Sequence, residues 1–261
     1  MSLSVFDVGQ GDSILAQEGD RQILIDGGPD AAVLEKLGAA MPSGDRAIDL
    51  VILTHPHSDH INGLVSVLER YDVGRVLMTD VIAPTAYFNK FKELVAQKNI
   101  LVDDPQKTKV ELVGDMEYDV LSAGTEGGLR SSIHDGNSDG LNDSSIVGML
   151  KFGSRRFLMM GDATSAVEDR LIAEKISLAA DFLKVGHHGS NYSTSAVFLK
   201  TVDPRYAAVS VGAKNSYGNP AWRVMRLLLS SGIATYRTDE NGDVFASTDG
   251  QSLQVSAERL P

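Results

Sequence analysis

Residues Thr54 to His60 read T-H-P-H-S-D-H and place four potential metal ligands, His55, His57, Asp59 and His60, within six positions. Neutral imidazoles together with a carboxylate suit a borderline divalent ion. His55 and His57, two apart, can converge on one ion, while the adjacent Asp59 and His60 would suit a second ion beside it. The plain alternative is a polar loop that caps a helix, with Ser58 or Asp59 as the N-cap. Five of the six histidines fall into two clusters, 55-57-60 and 187-188, whereas histidines used only for packing would be scattered. The sixth, His134, lies in a long polar stretch and reads as solvent-exposed.

Two further places could complete such a centre. Asp162 follows Phe157-Leu158-Met159-Met160-Gly161, so a carboxylate stands where a buried strand emerges. By itself it would read as a turn aspartate capping the next helix, but beside the first cluster it reads as a bridge between two ions. His187 and His188 lie between Gly186 and Gly189 after the apolar run Phe182 to Val185. Adjacent residues at a strand end seldom ligate one ion, so one histidine is expected on metal and the other towards substrate.

The surrounding elements must present these groups on one rim. Ile48 to Leu53 is apolar and β-branched enough for a buried strand. Pro56 ends it, which places His55 onwards on a loop, and Ile61 to Tyr71 follows as a helix. Leu3 to Val8, Ser13 to Ala16 and Arg21 to Ile25 open the chain as strands around glycine turns. Asp30 caps a helix that runs to about Ala40, and Tyr87 to Asn99 is an amphipathic helix. In the second half, strands are expected near 109–113, 118–121, 145–152, 156–160, 182–185, 206–211, 234–236, 244–247 and 253–255. Helices are expected near 167–176, 196–200 and 221–230. The stretch from Ala123 to Asp143 has no periodicity, and a loop that long is usually functional or mobile. Strand clusters open each half and helices are interspersed singly. This favours two sheets with helices outside over a regular parallel array. With no linker, repeat or low-complexity tract, residues 1–261 read as one domain.

Composition bounds the function. The 261 residues contain no cysteine, so any metal is held by histidines and carboxylates. A formal net charge of −11 argues against tight binding of nucleic acid through a general basic surface, because that affinity rests on Lys and Arg neutralising phosphates. It does not exclude a phosphodiester substrate, since bound ions supply a local positive field. No apolar run is long enough to span a bilayer, and Met1-Ser2-Leu3 leads almost directly into a strand without the features of a signal peptide. Localisation stays open between cytoplasmic and exported.

The set T-H-P-H-S-D-H, Gly161-Asp162 and Gly186-His187-His188-Gly189-Ser190 resembles the metallo-β-lactamase superfamily. Within it, the chain most resembles the hydrolase domain of ComEC-type DNA-uptake competence proteins and their free-standing relatives. Supporting segments are F-D-V-G-Q-G-D at Phe6 to Asp12, L-I-D-G-G at Leu24 to Gly28, L-K-V-G-H-H-G-S at Leu183 to Ser190, N-S-Y-G-N-P at Asn215 to Pro220, and Y-R-T-D at Tyr236 to Asp239.

The resemblance implies an α/β fold, a four-layer αββα sandwich with a dinuclear metal site on the sheet rim. Carried over, His55 and His57 match the first-site histidines, Asp59 and His60 the second-site pair, and Asp162 the bridging aspartate. His188 is assigned as the last second-site ligand and His187 as the residue poised towards substrate, with the reverse as the alternative. Two departures stand out. Where a third first-site histidine is expected, the chain reads Asn142-Asp143-Ser144, so Asn142 is a candidate for a weak ion or substrate contact. A G-H-P near the C-terminal end reads Gly218-Asn219-Pro220, which leaves Asn219 as a candidate substrate contact.

The expected function is a metal-dependent hydrolase, most simply a phosphodiesterase acting on nucleic acid or a small phosphodiester. Two divalent ions bridged by Asp162 would acidify a shared water, with Asp59 and His187 as the catalytic candidates. Zn²⁺ fits the histidines, and Mn²⁺ becomes credible as the share of oxygen ligands rises. The alternatives are a lactone or β-lactam hydrolase on the same core, or a metal-stabilised binding domain with little turnover. Oligomeric state is not legible.

Overall fold

The computed structural model describes residues 1–107, 109–124 and 140–259. His134 and most of the long polar stretch therefore lie outside the described residues.

The first half builds a sheet from β1 (Ser2–Val5), β2 (Ile14–Glu18), β3 (Arg21–Ile25), β4 (Ala47–Leu53), β5 (Asp72–Met78) and β6 (Leu101–Asp103). Its crossovers are helices α1 (Ala32–Ala40), α2 (Ser58–Arg70) and α3 (Ala86–Gln97). The second half repeats the plan with β7 (Val110–Val113), β8 (Met116–Ser122), β9 (Val147–Phe152), β10 (Arg155–Met159), β11 (Phe182–Lys184), β12 (Tyr206–Val209) and β13 (Ala234–Arg237). Here α4 (Ser165–Ala173), α5 (Ala196–Val202) and α6 (Trp222–Ser230) make the crossovers, and α7 (Thr238–Asn241) is one short turn. β14 (Val244–Thr248) and β15 (Leu253–Ala257) then return to the first sheet beside β1.

The sheet orders are β15-β14-β1-β2-β3-β4-β5-β6 and β13-β12-β11-β10-β9-β8-β7. Each sheet is antiparallel at its start and parallel where helices make the crossovers. Alternation along the strands explains the layering. In β4, Leu50 and Ile52 enter the core between the sheets, while Val51 and Leu53 pack under the helices. In β10, Phe157 and Met159 face inward, while Leu158 meets the second helical layer. Parallel strands buried on both faces read as continuous apolar runs, as these do. Three apolar layers result, one between the sheets and one under each set of helices, and the architecture is the αββα sandwich.

The boundary after β4 differs from the sequence reading. The helix begins at Ser58 rather than Ile61, so Asp59 and His60 sit in its first turn and not on a loop. Its N-cap is His57, in extended conformation and without a side-chain cap hydrogen bond, rather than Ser58 or Asp59. The His57 carbonyl accepts from the amides of His60 and Ile61 at 3.0 Å each, and this closes the first turn on backbone alone. Asp59 in that turn suits the positive end of the helix dipole. Among the described residues, no helix is long and apolar enough to cross a membrane.

Candidate metal centre

All the candidate ligands stand on one rim. β4, β10 and β11 end at Leu53, Met159 and Lys184, and His55, Asp162 and the His187-His188 pair follow directly. β9 runs antiparallel to β10, so Asn142, just before it, comes to the same rim. The start of α2 is pressed onto the turn after β3. A Cβ on Gly63 would lie 1.8 Å from the Gly27 carbonyl oxygen, so only glycine permits this approach. The Gly27 amide in turn donates to the His60 carbonyl at 2.8 Å.

One cluster joins Asp59, His60, Asp162 and His188. His60 Nε2 and His188 Nε2 each stand 3.4 Å from Asp162 Oδ1, and His188 Nε2 stands 3.3 Å from Asp59 Oδ2. Ligand bonds of about 2.0–2.1 Å in a tetrahedron set neighbouring ligand atoms roughly 3.3–3.4 Å apart, so these spacings fit an ion among them. His60 Nε2, Asp162 Oδ1 and His188 Nε2 are buried and have no hydrogen-bond partner. Buried polar atoms are seldom left unpaired, and three converging at one point suit a shared cation.

The opposite nitrogens of these histidines are held in place. His60 Nδ1 lies 2.7 Å from Asp26 Oδ2, and Asp26 is itself fixed by the Thr54 amide at 2.8 Å and the Thr54 hydroxyl at 2.6 Å. His188 Nδ1 donates to the Ser210 carbonyl at 2.9 Å. Such partners fix the tautomer and turn Nε2 towards a metal.

The second cluster is His55, His57 and Asp162. Asp162 Oδ2 faces it at 3.8 Å from His55 Nε2, so the two oxygens of this carboxylate look towards different clusters. His55 Nδ1 lies 3.1 Å from the Thr54 hydroxyl and 3.4 Å from that of Ser145. His55 Nε2 is 3.0 Å from His57 Nδ1.

The electrostatics favour positive charge here. Burial works against ionisation of Asp162 and Asp59, yet the neighbouring His188 and His60 outweigh it and hold both carboxyls below their ordinary range. Burial also opposes a proton on His60 and His188, but Asp162 and the other acids prevail, and His188 is pushed up to about 10. His55 goes the other way, because burial and then His60 depress it well below the usual imidazole value.

His187 and His188 diverge. Both adopt left-handed backbone angles, φ 50° and 51°, which non-glycine residues rarely take. Their ring planes make an angle of 67°. His188 is buried against the first cluster, while His187 faces the cavity with Nε2 3.2 Å from Asn142 Nδ2 and Nδ1 3.1 Å from the Ser190 hydroxyl. Burial lowers the His187 pKa. The far end of this loop is gripped by Glu168, whose carboxylate accepts from the amides of Thr194 at 2.5 Å and Ser195 at 2.9 Å.

A cavity of about 200 Å³ opens onto the ligands and is lined by Gln10, His57, Ser58, Asp59, Asn142, Asp162, His187, His188, Tyr217 and Asn219. The larger cleft of about 700 Å³ beside α3 contains none of these residues. Sequence reasoning assigned no role to Asp26, Thr54, Ser210, Gln10 or Tyr217. A carboxylate straight after the apolar Ile23-Leu24-Ile25 was a signal for Asp26, whereas Ser210 contributes only its backbone carbonyl.

Comparison with known proteins agrees with this geometry. The model of the metallo-beta-lactamase superfamily matches residues 6–213. ComE operon protein 3 of Bacillus subtilis (strain 168) is 26% identical over 260 residues, which cover 93% of this chain and 32% of that protein. Competence protein ComA of Neisseria gonorrhoeae is 30% identical over 246 residues, covering 92% and 31%. The chain thus spans about a third of the length of these relatives. Among solved structures, zinc-bound PqqB from Methylobacterium extorquens superposes with a TM-score of 0.61 at 13% identity, covering 91% of this chain and 98% of PqqB. YhfI from Bacillus subtilis, a metallo-beta-lactamase fold protein, gives 0.56 at 15% identity over 91% and 96%. These two structures establish likeness of fold alone. With sheet order, ligand rim and sequence match in agreement over most of its length, the chain belongs to the metallo-beta-lactamase superfamily.

Proposed function

We propose that this protein is a metal-dependent hydrolase that cleaves a phosphodiester at the rim cavity. The observation that carries the reading is the convergence of His60 Nε2, Asp162 Oδ1 and His188 Nε2, buried and unpartnered, at spacings suited to one divalent ion. In this reading Asp59, His60, Asp162 and His188 hold one ion, and His55, His57 and Asp162 hold the other, Zn²⁺ in the first instance with Mn²⁺ as the alternative. Divalent ions there supply a Lewis acid and make a coordinated water acidic near neutral pH.

The remaining work falls to the chain itself. His187, held through Nδ1 by the Ser190 hydroxyl, would exchange its Nε2 contact with Asn142 for the substrate, and there hydrogen-bond a non-bridging oxygen or give a proton to the leaving oxygen. Asn142, Asn219 and Tyr217 border the scissile group, and Asp162 keeps the two ligand sets at a fixed separation.

The segment that supplies Tyr217 and Asn219 to the cavity wall is locally cationic in sequence, which suits an anionic substrate. Residues 204–238 hold Arg205, Lys214, Arg223, Arg226 and Arg237 within a chain of net charge −11, with Arg237 paired to Asp239 and Glu240 just beyond. Tyr217 on the cavity wall and Trp222 shortly after it are 73% and 72% exposed. Arg226 lies over the Trp222 ring at 5.0 Å. Exposed aromatics among cations suit a flexible polyanion with stackable groups. This local segment offsets the case that the overall charge makes against nucleic acid.

The test is hydrolysis of bis(p-nitrophenyl) phosphate and of a single-stranded oligonucleotide, with metal counted per chain and Zn²⁺ and Mn²⁺ compared. Two ions with turnover support the proposal. Turnover of lactones or β-lactams alone would move the substrate class. A second reading, a metal-stabilised binding domain, is favoured by one observation: His55 Nε2 is engaged by His57 Nδ1, and asparagine stands where a third ligand is expected. One ion and no turnover on any ester would establish that reading.

A further inference from the structure

Behind His188 lies a buried ion pair that the proposed chemistry does not use. Lys184, the last residue of β11, has no exposed side-chain surface, and its Nζ donates to Asp12 Oδ2 at 2.7 Å and to the Val185 carbonyl at 3.1 Å. Its neighbours Leu183 and Val185 are core residues of the second helical layer, so a lysine stands inside an apolar strand. Asp12 is likewise buried. Its second oxygen, Oδ1, has no hydrogen-bond partner and stands 3.5 Å from His188 Nδ1.

Asp12 also reaches the other side of the same ligand set. Its amide donates to the Asp59 carbonyl at 3.2 Å, and its carbonyl accepts from Gly28 at 2.7 Å. The preceding Gly11 makes this approach possible, because a Cβ there would lie 2.1 Å from the Asp59 carbonyl oxygen. One residue thus holds the backbone of Asp59 and presents a carboxylate to the outer nitrogen of His188. Stability alone is a poor reason for the arrangement, since a buried ion pair is often no better than a well-packed apolar pair.

We propose that Asp12 and Lys184 form a positioning pair for the metal site made by Asp59, His60, Asp162 and His188, an inference that rests on the metal-dependent reading above. Lys184 anchors the carboxylate behind His188. With the Ser210 carbonyl, that carboxylate holds the Nδ1 side of the ring and so turns Nε2 towards the centre. The pair also ties the β1–β2 turn, the start of α2 and the end of β11 to one another, and these are three of the segments on which the ligand spacing depends.

The test compares Asp12→Asn, Lys184→Met and the double variant. The dissociation constant for Zn²⁺ is measured by competition with a chelating dye, and the thermal midpoint is measured on metal-free protein. Each single change strands one buried charge, and both the midpoint and the affinity should fall. The double variant removes both charges, so its midpoint should recover while its affinity for the tighter-bound zinc stays about tenfold to a hundredfold weaker than wild type, the range for lost outer partners of a metal ligand. A double variant that binds zinc as wild type does would overturn the positioning role and leave the pair as packing only. If the single variants fail to fold, the double variant alone decides. A wild-type chain that binds neither Zn²⁺ nor Mn²⁺ is a different result, because it removes the metal reading itself and with it any role for the pair.

Discussion

The two ligand clusters on either side of Asp162 differ in how their outer nitrogens are held. In the Asp59-His60-Asp162-His188 cluster, each histidine has a fixed acceptor behind it, the Asp26 carboxylate or the Ser210 carbonyl, and Nε2 is left free. In the His55-His57-Asp162 cluster, the rings lean on each other through His55 Nε2 and His57 Nδ1, and the acceptors behind His55 are hydroxyls. Asn142, the residue where a third ligand is expected, turns its amide nitrogen to His187. A ligand set already in place loses little freedom on binding, whereas one that must part a hydrogen bond and find another ligand loses more. The contrast predicts that two ligand clusters sharing a carboxylate should differ in affinity through their outer partners and ligand number alone.

The largest expected effect comes from removing what the clusters share. Asp162→Ala should disturb both ions and lower turnover by roughly a thousandfold or more, as expected when metal stabilisation worth several kcal/mol is lost. Metal analysis checks it, and retention of two ions at near-normal rate would make Asp162 a helix cap.

His188→Ala should act on one cluster only. The ion of the better-ordered set should be lost along with part of the thermal midpoint, because ligation free energy adds to folding stability. The check is a zinc count beside a melting curve. An unchanged count would exchange the roles of His187 and His188.

His187→Ala should keep both the metal and the midpoint while kcat falls about tenfold to a thousandfold, the span for losing an acid-base or oxyanion contact. Full activity in this variant would take His187 out of the reaction, and full activity in His188→Ala as well would take out the whole loop.

The mildest test addresses the difference in affinity directly. Graded chelation should empty the His55-His57 site first, and Asn142→His should slow that loss by about tenfold by supplying a further imidazole. Metal release followed over time would show it, and equal loss at both sites in the wild type would mean that the clusters are equivalent.

Much of this was legible beforehand because ligand chemistry restricts residue type. A histidine-rich segment after an apolar strand has few structural uses, so T-H-P-H-S-D-H and the 187-188 pair were visible as chemistry from the chain alone. Two sheets with helices outside were legible too, since strands buried on both faces leave continuous apolar runs and helices leave their own period, while the four-layer αββα order was implied by the family resemblance. Where α2 begins was not. Pro56 suggested a longer loop, but the His57 carbonyl accepts from the His60 and Ile61 amides, so the helix starts at Ser58 and holds Asp59 and His60 in its first turn.

The sequence by itself determined which residue types could hold a metal and that they would gather at strand ends. The tertiary structure alone decided how each is used. His187 and His188 are chemically identical, and only two left-handed backbone conformations and the position of the Ser210 carbonyl separate a ring facing the ligands from one facing the cavity. Asp12, Asp26 and Lys184 become partners of the centre through contacts between segments far apart in the chain. Local residue type and spacing are written along the chain, but the direction of a side chain's second nitrogen or second oxygen depends on what folding brings behind it.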